Sequence, residues 1–129
     1  MDLNDDIVLA TNMRKRAYSP YSNYTVGAVL TVKNGKKYTG CNIENDGIQS
    51  ICAERVAFCK AISEGERDFE RIVIMGGPKG EKEAKSLPCG YCRQFISEFV
   101  DKDFKIYVIY DNEIHEYKMQ DLLPYAFEY

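Results

Sequence analysis

Three short runs limit what this chain can fold into: TVGAVLTV at residues 25–32, RIVIMGG at 71–77 and KIYVIYDN at 105–112. Each is apolar, rich in β-branched residues and bounded by turn-forming residues, which is the pattern of a strand. Stretches with helical periodicity separate them. That order predicts an α/β fold with a mixed, roughly five-stranded sheet, parallel βαβ units and helices on both faces, a three-layer α/β/α arrangement.

The first segment, LNDDIVLATNMRKRAYSP, sets Leu3, Ile7, Ala10, Met13 and Ala17 at helical spacing, with Pro20 marking a stop beyond it. After the first strand, Asn34-Gly35 predicts a tight hairpin, and KKYTGCNIE is the returning strand, ended by Asp46-Gly47. A helix from about Ile51 carries Cys52, Val56 and Cys59 on one stripe and stops near Gly65. PKGEKEAKS at 78–86 reads as a polar loop. The next helix, over 89–100, turns Cys92, Ile96 and Phe99 or Val100 inward. EIHEYKM is a weaker strand, and DLLPYAFEY is a short helical turn broken by Pro124. No linker or repeat divides the chain, so residues 1–129 read as one domain.

With a net charge of −3, the surface is not one built to grip phosphates, and no nucleic-acid partner is expected. The basic run Arg14 to Arg16 is only three residues long and reads as a solvated helix face. No apolar stretch approaches the ~20 residues that cross a bilayer, so no membrane partner is expected. The start MDLNDDIVLA is acidic where a targeting segment needs positive charge, and a cytoplasmic location is the expectation. Five cysteines, an odd number, favour free thiols or metal ligands over a disulfide framework.

Two cysteine motifs open the two middle helices. Cys52-Ala-Glu54 stands at the head of one, and Pro88-Cys89-Gly-Tyr-Cys92 at the head of the other. Cysteines three apart in a first turn share a face and lie near the positive end of the helix dipole, which favours thiolates. A strand–helix–strand crossover brings both helix heads to one edge of the sheet. Three thiolates then fill three corners around a zinc ion and leave the fourth open. Cys59 lies two turns beyond Cys52, too far to join, and is read as core packing. Cys41, near the end of a predicted strand, is left open as a possible fourth ligand of a closed, purely structural site. His115, the one histidine, has no partner at ligand spacing and reads as a strand or surface residue. Arg55 is either an exposed helix arginine or the cation that offsets three thiolates. Glu54 is either a helix-dipole residue or an acid/base beside the open corner.

The segments YSPYSNYTVGAVL, GCNIEN, CAER, PCGYCRQFISEF and DLLPYAF, taken in order, resemble the cytidine deaminase family of the small homotetrameric type. The resemblance spans nearly the whole chain. It implies one zinc per subunit held by Cys52, Cys89 and Cys92, with Glu54 as proton shuttle and not a ligand. It further implies that Asn42 and Glu44 hydrogen-bond the ribose and that Tyr24 lies against the pyrimidine. Arg55 would bond the metal-bound sulfurs, and Phe127 would reach a neighbouring subunit's pocket. The implied activity is hydrolytic deamination of cytidine and deoxycytidine, in pyrimidine salvage, by a homotetramer acting on a small-molecule nucleoside. A modified cytosine nucleoside such as blasticidin S is the alternative substrate, and a zinc-stabilised structural module the non-enzyme alternative. Two departures stand out: Asp46-Gly47 replaces a small residue and its neighbour in a loop that the family uses to help hold the base. Tyr91 replaces a small residue between the last two cysteines, where a ring is expected to narrow the pocket.

Overall fold

The computed structural model describes residues 2–46 and 50–128. In order, these contain α1 (Asn4–Arg14), β1 (Tyr24–Val32), β2 (Lys37–Cys41), α2 (Ala53–Ser63), β3 (Phe69–Pro78), α3 (Gly90–Ser97), β4 (Lys105–Tyr110), β5 (Glu113–Lys118) and α4 (Met119–Leu122). The strands form one five-stranded sheet in the order β2-β1-β3-β4-β5. β3 and β4 run parallel, and every other neighbouring pair is antiparallel. The expected mixed sheet is therefore present.

Strand alternation sorts the apolar side chains onto two faces. Ala28, Leu30 and Val32 of β1, Ile72 and Ile74 of β3, and Ile106 and Val108 of β4 point to one side, where they join Ala57, Phe58, Ile96, Met119 and Leu122 from α2, α3 and α4. Val29, Val73, Met75, Tyr107 and Ile109 point to the other, where Leu3 and Ala10 of the α1 segment cover them. The result is three layers. On the α1 side, the carboxylate of Asp6 is only 1% exposed and pairs with Lys37 and with Arg71 Nε, the latter at 3.0 Å. A carboxylate that deeply buried is tolerable because both cations meet it there.

Both hairpins are set by residues that accept left-handed backbone. Gly35 has φ 94° between β1 and β2, as Asn34-Gly35 predicted. Asp111 and Asn112, at φ 54° and 59°, make the two-residue turn between β4 and β5.

The stripe expected for α2 needs correction. Its buried residues are Ala53, Glu54, Ala57, Phe58 and Ala61, whereas Cys52 is the N-cap and Cys59 is exposed, not core. The reason is close approach. A Cβ built on Gly40 of β2 would lie 2.3 Å from Ala53 O and 2.8 Å from Ala57 N, so glycine on the strand and alanines on the helix let two backbones nearly touch. Gly40→Ala is expected to push the head of α2 off the sheet and destabilise the fold by about 1–3 kcal/mol. Urea unfolding checks this, and an unchanged midpoint would show that α2 shifts at no cost.

α3 ends at Ser97, short of the expected 100: Cys92 and Ile96 within it are buried as predicted, while beyond its end Val100 is half-buried against the core and Phe99 is largely outside it.

The topology places the two helix heads. β1 is antiparallel to both β2 and β3, so β2 and β3 run in the same direction. α2 follows β2 and α3 follows β3, and both lie on the same face. Their N-termini therefore open at the same end of the sheet, beyond the C-terminal ends of the strands that feed them.

Candidate metal centre and active site

Cys52 and Cys89 are the N-caps of α2 and α3, both with extended backbone, at ψ 155° and 169°. In that conformation a short side chain turns back over the first turn, and Cys89 Sγ accepts the Cys92 backbone N–H at 3.5 Å. Cys92, one turn into α3, is fully buried and completes the group. The Cys52 and Cys89 sulfurs are 3.8 Å apart, and all three lie within 4.8 Å of one another. Sulfurs bound at about 2.3 Å to a tetrahedral zinc would be separated by about 3.8 Å. Among the described residues no other such group exists, and Cys41 is not part of it.

The protonation of these thiols also calls for a cation. Cys52 is pulled down to about 5, chiefly by a hydrogen bond with Cys92, with burial opposing and Arg55 and Cys89 assisting. Cys92 is pushed up by the same bond, then by burial and by its charged neighbours. Three sulfurs this close cannot all ionise by themselves. A divalent cation at their centre removes the conflict, so the donor set fits zinc.

Two further α2 side chains face this group. Glu54, in the first turn, is 4% exposed and forms no ion pair among the described residues. Burial raises its carboxyl to about 7, and the Cys52 charge adds to the rise. Arg55 Nη2 donates to Cys52 Sγ at 3.7 Å and to Ser50 O at 3.2 Å. The guanidinium of Arg55 thus lies against the Cys52 sulfur.

Backbone lacing brings the loop before β1, the segment after β2 and the head of α2 together. Ile43 and Ile51 exchange N–H···O bonds of 3.0 and 2.9 Å. Tyr18 N donates to Asn42 O, and Glu44 N donates to Tyr18 O. Asn42 spends its side chain on the backbone, accepting from Val26 N at 2.8 Å and donating to Tyr24 O at 2.9 Å. Glu44 accepts from Tyr21 N, Ser22 N and the Ser22 hydroxyl. The Ser22 side chain chiefly, with those backbone N–H groups, holds its carboxyl below the usual range. The Tyr24 hydroxyl meets Ser86 Oγ, in the segment leading to Cys89.

These contacts join Asn42, Glu44 and Tyr24 to the segments that carry the thiols, and Phe127 lies apart from them. That ring is 65% exposed and lines a surface cavity with Met119, Leu123 and Tyr125, a cavity whose walls do not include the three thiols. Asp46 is described, but Gly47 lies outside the described residues. Tyr91 does not turn inward: its ring lies over Arg55.

The family model described as cytidine and deoxycytidylate deaminase zinc-binding region matches residues 4–108. The chain belongs to this deaminase family. It is similar to the cytidine deaminase of Sporosarcina psychrophila, at 40% identity over 98% of this chain and 92% of that protein. The cytidine deaminase of Halalkalibacterium halodurans is 41% identical, over 98% and 95% of the two chains. The crystal structure of cytidine deaminase from Burkholderia pseudomallei superimposes with a TM-score of 0.87 at 35% identity, covering 98% of this chain and 100% of that one. Cytidine deaminase from Mycobacterium tuberculosis does so with a TM-score of 0.81 at 31% identity, covering 100% and 99%. Zinc is therefore the cation that the deaminase family and the thiol group together imply.

Sequence reasoning missed three partnerships at or near this centre. They are the ring of Tyr91 on Arg55, the hydroxyl of Tyr24 on Ser86, and the use of Asn42 to tie β1 to its own neighbour. Each joins residues far apart in sequence and carries no periodic signal. His115 stacks on Tyr110 at 3.6 Å between ring centroids, on the last hairpin, and plays no part in the thiol group.

Proposed function

We propose that this chain is a single deaminase domain, residues 1–129, that converts cytidine and deoxycytidine with water to the corresponding uridines and ammonia. The observation that carries this reading is the convergence of Cys52, Cys89 and Cys92 on one point beside a buried carboxyl, in a chain of the deaminase family. Zinc held there, one ion per subunit, supplies a Lewis acid that activates water.

The chain's own groups do the rest. Glu54, poised near neutrality, takes a proton from the attacking water and gives it to N3 of the pyrimidine, then takes the second proton from the hydroxyl added at C4 and gives it to the departing amine. The Arg55 guanidinium draws negative charge from the Cys52 sulfur, which otherwise shares in an excess of one negative charge over the ion. Asn42 and Glu44 fix the wall of the pocket through the backbone they hold. The Glu44 oxygens retain acceptor capacity for ribose hydroxyls beyond the three bonds they accept. The Tyr24 ring lies against the base.

Exposed apolar side chains at Tyr18, Ile43 and Ile51, and at Tyr125 and Phe127, support assembly with further copies, in which Phe127 enters a neighbour's pocket. A cytoplasmic homotetramer serving pyrimidine salvage is the form proposed. No helix among the described residues is long and apolar enough to cross a membrane.

Purified protein mixed with cytidine is expected to show the ultraviolet change of conversion to uridine, with one equivalent of ammonia released. No conversion of cytidine or deoxycytidine by zinc-loaded protein would sink the reading. Sedimentation of the same sample is expected to give four times the mass of the 14.8 kDa chain.

A further inference from the structure

The three thiols stand on two helix heads, and one side chain outside the ligand set joins those heads. Tyr91 sits in the first turn of α3, between Cys89 and Cys92. Its ring lies against Arg55 of α2, with the guanidinium carbon 4.1 Å from the ring centroid. On its other contacts, Arg55 Nη2 donates to Cys52 Sγ and Ser50 O. Arg55 Nε is buried with no hydrogen-bond partner among the described residues. The guanidinium is thus held by the Cys52 sulfur and Ser50 O through one nitrogen, drawn by the neighbouring Cys92 sulfur, and covered by the Tyr91 ring.

We propose that Tyr91 is a positioning residue of the metal centre, whose ring holds Arg55 against the Cys52 sulfur and so slows the loss of zinc. This rests on the reading of the three thiols as zinc ligands. An arginine bonded to sulfur by one N–H competes with water for that bond and loses rotamer freedom in keeping it. A ring against the guanidinium excludes water from one side and adds a cation–π attraction. The Cys52 sulfur then keeps its donor, and excess negative charge on the ligand set stays partly neutralised. The contact also ties the α2 ligand to the element carrying the other two, so neither helix head opens alone. A small residue at this position has no side chain to make either contact.

Tyr91 is 66% exposed, so truncating it opens no cavity in the core. That separates the effect from general loss of stability.

The test follows zinc passing from loaded protein to an excess of chromogenic chelator, for wild type, Tyr91→Ala, Tyr91→Phe, Arg55→Gln and the Tyr91→Ala/Arg55→Gln pair. Tyr91→Ala is expected to release zinc about three- to tenfold faster, and Tyr91→Phe at the wild-type rate. In the Arg55→Gln background the Tyr91→Ala change is expected to add nothing, because its route is already cut. Sedimentation is expected to give one assembly size for all five proteins. Wild-type release by Tyr91→Ala, fast release by Tyr91→Phe, an undiminished effect in the Arg55→Gln background, or a changed assembly for Tyr91→Ala would each overturn the proposal. A wild type that binds no zinc would overturn the ligand reading and the clamp together. A zinc-loaded wild type with an indifferent Tyr91→Ala variant would overturn the clamp alone.

Discussion

Glu54→Gln is expected to lower kcat for cytidine by about 10²–10⁴-fold while leaving zinc content, assembly and fold as they are. The substitution replaces one carboxyl oxygen by an amide nitrogen of nearly the same size, in a space where Glu54 is 4% exposed, so packing against α2 and the sheet is retained. What disappears is the ability to accept a proton and return it. Burial already holds the native carboxyl near 7, which means that the site accommodates an uncharged side chain there without strain. Removing the charge therefore threatens function far more than stability. KM is expected to change less than kcat, because the proton transfers belong to the chemical steps. The checks are steady-state rates together with zinc analysis and thermal unfolding of the same preparation. A zinc-loaded Gln variant within threefold of wild-type kcat would remove Glu54 from the mechanism.

The fold was legible where local chemistry and global topology agree. Alternating runs such as RIVIMGG fill both faces of the sheet, and Asn34-Gly35 makes a turn because Gly35 accepts the left-handed backbone the turn needs. The three thiols were legible for a similar reason. Two sit at N-caps and one a turn further on, so their positions depend on helix starts, which proline and strand endings mark in the sequence. The α2 stripe was misread because hydrophobicity ranks valine and cysteine above alanine. The packed face is instead made of small residues four apart, Ala53, Ala57 and Ala61, chosen by the approach of Gly40. Nothing in a single segment announces that approach. The same holds for the Asp6 pairs with Lys37 and Arg71, and for Tyr91 on Arg55. These are consequences of tertiary neighbours, and only the fold brings them within reach. Asn42 is the instructive middle case. Its motif was recognised through resemblance, yet the bonds it makes here are to the backbone of Tyr24 and Val26, so its side chain ties the segment after β2 to the start of β1.

Stripping zinc with a chelator under reducing conditions is expected to abolish turnover, by at least about 10³-fold given what metal activation of water supplies, and to leave the folded sheet in place. The two apolar clusters that hold the layers together depend on Leu30, Phe58, Ile72, Ile74 and Ile106 on one side and on Val29, Val73 and Ile109 on the other, none of which needs the ion. The far-ultraviolet circular dichroism of stripped protein should therefore match that of the loaded form. Stability should still fall, because an ion that binds only the folded chain contributes about 4 kcal/mol at a thousandfold excess over its dissociation constant. For a chain of this size, each kcal/mol corresponds to a few degrees in Tm. Without a cation, Cys92, pushed up, keeps its proton, while Cys52, drawn down beside Arg55, carries the charge, so the stripped site relaxes without driving the helix heads apart. Returning zinc should restore activity in full. X-ray absorption of the restored protein should show three sulfurs and one lighter ligand, as an open site demands. Unfolding on chelation, or four sulfurs around the ion, would mark the metal as a structural staple recruiting Cys41 and would leave Glu54 without a reaction to serve.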